Sequence, residues 1–194
     1  MDFKTSQTHT NLMRAFAGES QARNRYTFAA SQAKTYKLHV IEAVFTFTAN
    51  QEKEHGELFY NALKELAGEN VRIDGAYPVD INADMVGLLR SAQHNEYEEH
   101  QPVYSTFSQV ARDEGFIKVA DLFAGIAQIE KTHGDRFGYY AELLANNQLF
   151  NGEPDTVWLC LNCGHLHTGP AAPAVCPICS HNQGYFVRAN STLG

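Results

Sequence analysis

The chain has 194 residues, a net charge of −7 and 44% hydrophobic residues, a composition typical of a globular protein with one main core and a small accessory module. The acidic balance argues against nucleic acid or an anionic membrane surface as the main partner, because both attract basic patches. The polar N-terminus and the lack of an apolar run of about 18 residues predict neither a signal peptide nor a membrane span.

Four segments, 12–33, 41–66, 85–110 and 116–144, carry core-type residues at alternating steps of three and four. This spacing turns one face of a helix toward its neighbours and predicts a four-helix bundle. The links around Tyr36 and at 113–115 are short, so the helices that each of them joins should be antiparallel.

The connection between the second and third helices, 68–80, is much longer and contains the helix breakers Gly75 and Pro78. Fully extended it reaches about 43 Å, enough to run along a helix of about 40 Å. The sequence therefore predicts a mainly α, ferritin-like four-helix bundle with one long crossover, rather than a simple up-down bundle.

Seven ionisable residues lie on the stripes that face the core: Glu19, Glu52, His55, Glu96, Glu99, Glu130 and His133. Buried carboxylates repel one another and lose hydration, at about several kcal/mol each, unless they are protonated, paired or bound to metal. The motifs Glu52-x-x-His55 and Glu130-x-x-His133 each place a carboxylate and an imidazole on one helix face. Di-iron and di-manganese bundles share this plan, so we predict a two-metal centre, with one extra carboxylate on the third helix.

A single Glu-x-x-His on a helix is usually a chance occurrence, but two on core stripes with three further stripe carboxylates are not. The neighbouring acids fall off the stripes and are predicted to be solvated: Glu54, Glu57 and Glu98. The remaining histidines lack ligand spacing and are predicted at the surface or hydrogen-bonded: His9, His39, His94, His100, His165, His167 and His181. Three tyrosines are interpreted as packing residues: Tyr26, Tyr97 and Tyr104.

Composition changes near Asn146, and the breakers at 151–154 predict two domains, a bundle at 1–150 and a small module at 151–194. All four cysteines lie in the module, as two Cys-x-x-Cys knuckles: Cys160, Cys163, Cys176 and Cys179. Four thiolates can coordinate one metal ion tetrahedrally, and a module this small needs such a cross-link to fold stably. Clustered thiols without a leader favour a metal site in a reducing, cytoplasmic compartment over disulfides, and the spacing leaves iron and zinc open.

A carboxylate bundle followed by a four-cysteine module resembles the rubrerythrin family over nearly the whole chain. The resemblance is carried by the Cys176-Pro-x-Cys179 knuckle, by Cys163-Gly164 and by Glu96-Tyr-Glu-Glu99 with Tyr104 five residues later. The chain departs from the family pattern in lacking a proline just after Tyr104, and Pro102 precedes that tyrosine instead.

The resemblance implies a non-haem di-iron centre bridged by Glu52 and Glu130. Glu19 and either His55 or Glu99 would complete one iron, and Glu96 and His133 the other. It also implies that the four cysteines hold a rubredoxin-type iron, with zinc as the alternative metal.

The resemblance further implies a peroxidase that reduces hydrogen peroxide to water and protects against oxidative stress. Its electrons would pass through the cysteine-bound iron from a rubredoxin or a reductase linked to NADH, within a head-to-tail homodimer. Two other functions remain open, a ferroxidase or iron-handling protein and a non-catalytic interaction protein with a zinc ribbon. The cysteine module favours the peroxidase over iron storage, because storage needs no one-electron relay.

Overall fold

The computed structural model describes residues 2–191 and confirms a mainly helical chain. Five α-helices form the bundle: α1 Gln7–Thr35, α2 His39–Ala62, α3 Met85–Glu98, α4 Ser105–Asp113 and α5 Ile117–Ala145. Ser6 caps α1 by accepting a hydrogen bond from the His9 amide, which satisfies one of the free donors at the helix start. Within residues 2–191, no helix is both long and apolar enough to cross a membrane.

The helices pack as two main pairs, α1 with α2 and α3 with α5. The segment between α2 and α3 has one 3₁₀ turn, Lys64–Leu66, and otherwise no helix or strand. Since that segment connects the two pairs, the ferritin-like arrangement with one long crossover is confirmed.

The prediction of one continuous third helix over 85–110 was wrong. A π-helical segment, Glu99–Tyr104, separates α3 from α4, and within it Gln101 adopts the extended backbone angles φ −155° and ψ 121°. The residue before a proline is pushed out of the α region, and Pro102 supplies no amide hydrogen to the helix. The interruption places Glu96 in the last turn of α3 and Glu99 at the start of the wider turn.

The bundle core consists of two apolar clusters with a polar layer between them. One cluster contains Tyr26, Phe45 and Phe137, and the other contains Phe59 and Phe123. Each large side chain fully buried in this way stabilises the fold by about 1.5–3 kcal/mol. The apolar clusters therefore offset the burial of a charged layer in the middle of the bundle.

The C-terminal module is a three-stranded antiparallel sheet in the order β2-β1-β3, with β1 Val157–Cys160, β2 Leu166–Thr168 and β3 Phe186–Arg188. It folds back onto the end of the bundle where α1 turns into α2. There the Tyr185 ring stacks on His39 at 3.9 Å between centroids, and Val187 joins the first apolar cluster of the bundle. The two parts of the chain thus share a packed interface.

Candidate metal centres

Six of the seven predicted bundle ligands meet in the polar layer, where each is buried. Their ligand atoms form two groups, within each of which all atoms lie within 4.8 Å of one another. One group is Glu19, Glu52, His55 and Glu130, and the other is Glu52, Glu96, Glu130 and His133. Glu52 and Glu130 belong to both groups.

The two shared carboxylates each direct one oxygen toward each imidazole. His55 Nδ1 lies 3.2 Å from Glu52 Oε2 and 3.0 Å from Glu130 Oε1. His133 Nδ1 lies 2.9 Å from Glu52 Oε1 and 2.8 Å from Glu130 Oε2. The imidazole rings are nearly parallel, with centroids 5.5 Å apart and an angle of 12° between the ring planes. This is the arrangement required for two adjacent cations that share two carboxylates.

Many of these atoms have no hydrogen-bond partner among the described residues. They include Glu19 Oε2, Glu52 Oε1, Glu96 Oε2, both carboxylate oxygens of Glu130 and both ring nitrogens of His133. Buried polar atoms left unpaired are costly and rare, whereas converging oxygen and nitrogen donors are ordinary ligands of iron. The cluster therefore fits a di-iron centre.

The pKa values show what the cluster does without metal. Burial lowers the pKa of a histidine, but the Glu130 and Glu52 carboxylates beside each ring outweigh it and raise the pKa of His55 to about 9 and of His133 to about 12. Burial, with the charge of Glu52, raises the pKa of Glu96 to about 8. Metal-free protein thus holds protons at neutral pH that incoming cations must displace.

Glu19 and Glu96 each belong to only one of the two groups. A tyrosine hydroxyl binds the outer carboxylate oxygen of each. Tyr104 donates its hydroxyl hydrogen to Glu19 Oε1 at 2.5 Å, and Tyr26 donates to Glu96 Oε1. The remaining oxygens face the imidazoles, with Glu96 Oε2 3.4 Å from His133 Nδ1. From the sequence both tyrosines were predicted to be packing residues, and their hydrogen bonds to the cluster were not predicted. The position of Tyr26 two turns after Glu19 on the same stripe was the available signal.

Glu99 lies beside the cluster and belongs to neither group. Its Oε2 atom is buried and lacks a partner among the described residues, and burial raises its pKa well above the usual range. His100 belongs to neither group, and its Nδ1 lies 2.7 Å from the Ala127 carbonyl oxygen. The acids predicted to be solvated are exposed: Glu54, Glu57 and Glu98.

The four cysteines converge at the tip of the module, and none forms a disulfide. The Sγ atoms of Cys160 and Cys179 are 3.8 Å apart, and those of Cys163 and Cys176 are 3.7 Å apart. Thiolates arranged tetrahedrally at about 2.3 Å from one ion lie about 3.8 Å apart. A hydrogen bond from the His181 backbone lowers the pKa of Cys179 to about 6, which favours its thiolate form. The geometry is that of a rubredoxin-type site.

The bundle and its shared carboxylates define the chain as a ferritin-like di-iron protein with a second, four-thiolate metal site. The rubrerythrin family model matches residues 10–140, and the model of the rubrerythrin rubredoxin-like domain matches residues 158–187. A rubrerythrin from Clostridium perfringens is 41% identical over 184 residues, which are 94% of each chain. The chain therefore belongs to the rubrerythrin family.

Solved structures agree with this assignment. A nigerythrin in a mixed-valence state superposes with a TM-score of 0.63 at 26% identity, covering 95% of this chain and 90% of that one. A bacterioferritin from Desulfovibrio desulfuricans gives 0.64 at 23% identity, covering 73% and 82%. The second likeness supports the fold of the bundle alone.

Proposed function

We propose that the chain is a peroxidase that reduces hydrogen peroxide to water as protection against oxidative stress. Hydrogen peroxide takes up two electrons and two protons to give two water molecules. The observation that carries the proposal is that one chain combines a buried oxygen and nitrogen cluster with a four-thiolate site. The first suits a pair of irons and the second a one-electron relay. When bound, a ferrous pair supplies two electrons, one from each iron.

In this proposal the ligand roles follow the geometry of the cluster. Glu52 and Glu130 would each hold both irons, because each presents one oxygen to each histidine. Glu96 and His133 would hold one of the irons. Glu19 would hold the other together with either His55 or Glu99, of which His55 lies in the same group as Glu19.

The chain's own residues orient the site and exclude bulk water. Tyr104 and Tyr26 each occupy one oxygen of a terminal carboxylate, so the other oxygen remains free to bind. Apolar clusters close the polar layer at both ends, which strengthens every electrostatic interaction inside it.

The peroxidase reaction is tested with anaerobically reduced protein mixed with hydrogen peroxide in a stopped-flow instrument. We expect one peroxide consumed per oxidised di-iron centre, at a rate well above that with dioxygen. A Cys160→Ser variant should lose turnover with an external donor while its pre-reduced bundle still reacts with peroxide. A ferroxidase would instead react faster with dioxygen and keep its turnover in this variant. Unchanged donor-linked turnover would also show that the cysteine site is structural.

We propose that electrons pass between chains, within a head-to-tail homodimer. The module contacts the bundle at His39, thirteen residues along α2 from Glu52, which is about 20 Å of helix. Electron tunnelling weakens steeply with distance, so the route within one chain is long. A two-fold dimer would bring each cysteine site to the partner's cluster in two equivalent contacts.

Mixed dimers test the route. Cys160→Ser chains lack the relay, and Glu130→Ala chains lack the peroxide-reducing centre, so each pure variant should be inactive. If electrons cross between chains, re-associated 1:1 mixtures should recover about a quarter of wild-type turnover, since half the dimers are mixed and each has one intact route. No recovery despite proven mixing, or a fully active monomer, would overturn the dimer proposal.

The remaining partners are proposed from the same chemistry. A four-thiolate iron accepts one electron at a time, which suits a rubredoxin or a reductase that draws on NADH. Four cysteines whose Sγ atoms lie within 4.8 Å of one another without forming a disulfide suit a reducing compartment, and we propose the cytoplasm. Reduction of the red ferric cysteine site by NADH through a candidate donor, followed by its absorbance, tests the partner.

A further inference from the structure

A cavity of about 720 Å³ lies under the crossover, between α1 and the α3–π segment. Its floor on α1 is formed by small residues, Ala15 and Gly18, and Ala76 belongs to its roof on the crossover. Gly18 leaves its space open, because a Cβ atom added there would meet only the Tyr77 ring, at 3.7 Å.

The crossover is fixed to the bundle on both sides of this roof. On one side Arg14 forms an ion pair with Asp74. On the other, Asp80 Oδ2 accepts hydrogen bonds at 2.6 Å from Arg25 Nη1 and from Asn95 Nδ2. The roof is therefore tied to the helices on both sides, by an ion pair in which Asp74 is exposed and by a mostly buried pair at Asp80.

The inner wall of the cavity lies next to the metal cluster, although none of the six cluster residues lines it. It includes Glu99, the acid beside the cluster, and Tyr104, which donates its hydroxyl hydrogen to Glu19. Two buried polar atoms of the wall, Glu99 Oε2 and Gln21 Nε2, have no hydrogen-bond partner among the described residues. Arg25 Nε donates to Gln21 Oε1 at 2.5 Å, which leaves the amide nitrogen as the free donor.

We propose that this cavity is the port through which hydrogen peroxide reaches the di-iron centre, with Gln21 and Glu99 guiding it at the inner end. Peroxide is small and neutral and both donates and accepts hydrogen bonds, so it can pair with the free amide N–H of Gln21 and with the carboxyl group of Glu99. The inference rests on the proposed function for its substrate, but the port itself is defined for any small ligand of the metal centre.

A second cavity, of about 310 Å³, borders Glu52 and is lined by Ser20, Gly56 and Tyr60. It is less than half as large, and apart from the bridging Glu52 none of its lining atoms is a buried donor or acceptor without a partner among the described residues. Filling this second cavity therefore serves as the control for filling the proposed port.

The experiment fills each cavity in metal-loaded holoprotein. Gly18→Leu and Ala76→Trp fill the proposed port from opposite walls. Gly18→Ala controls for the added Cβ, Val79→Trp controls for an exposed tryptophan on the crossover, and Ser20→Leu fills the alternative cavity. Leucine also has higher helix propensity than glycine, by about 0.8 kcal/mol, so Gly18→Leu should not weaken α1.

Two rates are measured by stopped-flow absorbance, oxidation of the reduced centre by hydrogen peroxide and association of azide with the di-iron centre. Both filling variants should slow both bimolecular rates by about tenfold or more, while the saturating rate with peroxide stays within about twofold. The three controls should match the wild type.

The port proposal would be overturned if Gly18→Leu and Ala76→Trp left both bimolecular rates unchanged, or if only Ser20→Leu slowed them. If the wild type does not reduce peroxide, azide still reports on the port. Failure of the proposed function is thereby separated from failure of this inference.

Discussion

At the residue scale, the stability of the buried cluster depends on whether protons or metal ions balance its negative charge. Five glutamates lie in or beside a layer closed by aromatic side chains. Burial and the charges of neighbouring carboxylates raise the pKa of Glu19, Glu96 and Glu99, whereas for Glu52 the two neighbouring histidines outweigh burial and lower the pKa. Protons on His55 and His133 compensate in part. Two divalent cations would replace those protons and complete the charge balance, so metal binding and folding are coupled.

Tyr104→Phe should weaken metal retention. The change leaves Glu19 Oε1 buried without its donor, at a cost of about 1–3 kcal/mol, and loss of such an orienting hydrogen bond typically reduces metal affinity about 10–100-fold. Retention of iron against a chelator and the melting temperature measure the two effects. Tyr139→Phe is the control, because it removes the same hydroxyl from an exposed ring that contacts Ser191. Equal iron retention in both variants would contradict the orienting role.

At the element scale, the start of α1 is held by a turn far away in the sequence. Glu114, between α4 and α5, accepts hydrogen bonds from the amides of Gln7 and Thr8 at 2.8 Å each and from the Thr8 hydroxyl at 2.5 Å. A carboxylate also interacts favourably with the positive end of the helix dipole. This contact ties the α4–α5 pair to the first turn of α1.

Glu114→Gln should destabilise the protein by about 0.5–2 kcal/mol at pH 7, measured by chemical denaturation. Burial raises the pKa of Glu114, but the hydrogen bonds from Thr8 and Gln7 outweigh it, and the folded pKa lies below the usual value. The stabilisation is therefore complete above the ordinary glutamate pKa of about 4.3. It is lost as pH falls through the lower folded pKa, so the two proteins should converge in acid.

Asp113→Asn, in the same turn, should change stability by less than about 0.5 kcal/mol because its side chain is exposed. A Glu114→Gln difference that persisted in acid would mean that the charge plays no part in the cap.

The two cysteine knuckles repeat one backbone design with different residues. Cys160 and Cys176 each donate an amide hydrogen to a carbonyl five residues later. The fourth residue after each cysteine has a positive φ, 77° at Gly164 and 61° at Ser180. Only glycine adopts this conformation without strain, so the second knuckle carries strain that the first does not.

Ser180→Gly should therefore stabilise the module, by up to about 1 kcal/mol, and Gly164→Ser should destabilise it by about 1–2 kcal/mol. Loss of the visible absorption of the ferric cysteine site during heating measures both. We expect the two substitutions to change the stability of the module in opposite directions. Changes in the same direction would show that backbone conformation does not govern the effect of substitution at these positions.

At the scale of the whole molecule, close backbone contact joins the module to the bundle. A Cβ atom added to Gly184 would lie 1.8 Å from the carbonyl oxygen of Lys37, and the Tyr185 ring next to it stacks on His39. The domain boundary at 150/151 stays a prediction, since Phe150 packs against the apolar clusters of both parts.

Gly184→Ala should separate the module from the bundle without unfolding either, because the added carbon cannot fit against Lys37. Small-angle X-ray scattering should show a larger radius of gyration, and both metal sites should remain loaded. Gly169→Ala is the control within the module, since its Cβ would meet only the end of the His167 side chain, at 3.1 Å. Unchanged scattering would mean that the interface adjusts to a methyl group.

The helical bundle, the crossover and the identities of the residues that converge on both sites could all be predicted from the order of the amino acids. Periodicity assigns residues to faces, and charged groups on a core face, like clustered cysteines, have few stable alternatives to metal. The interruption at Gln101 was missed because a helical pattern continues on both sides of it.

How those residues meet depends on long-range packing that no local pattern predicts. That Glu52 and Glu130 each turn one oxygen to each histidine depends on the relative rotation of α2 and α5. That Tyr104 reaches Glu19 depends on packing between segments 85 residues apart. The docking of the module and the cavity under the crossover are likewise long-range features. Local spacing fixes which face a residue occupies, whereas the distances between faces are set by the packing of the whole chain.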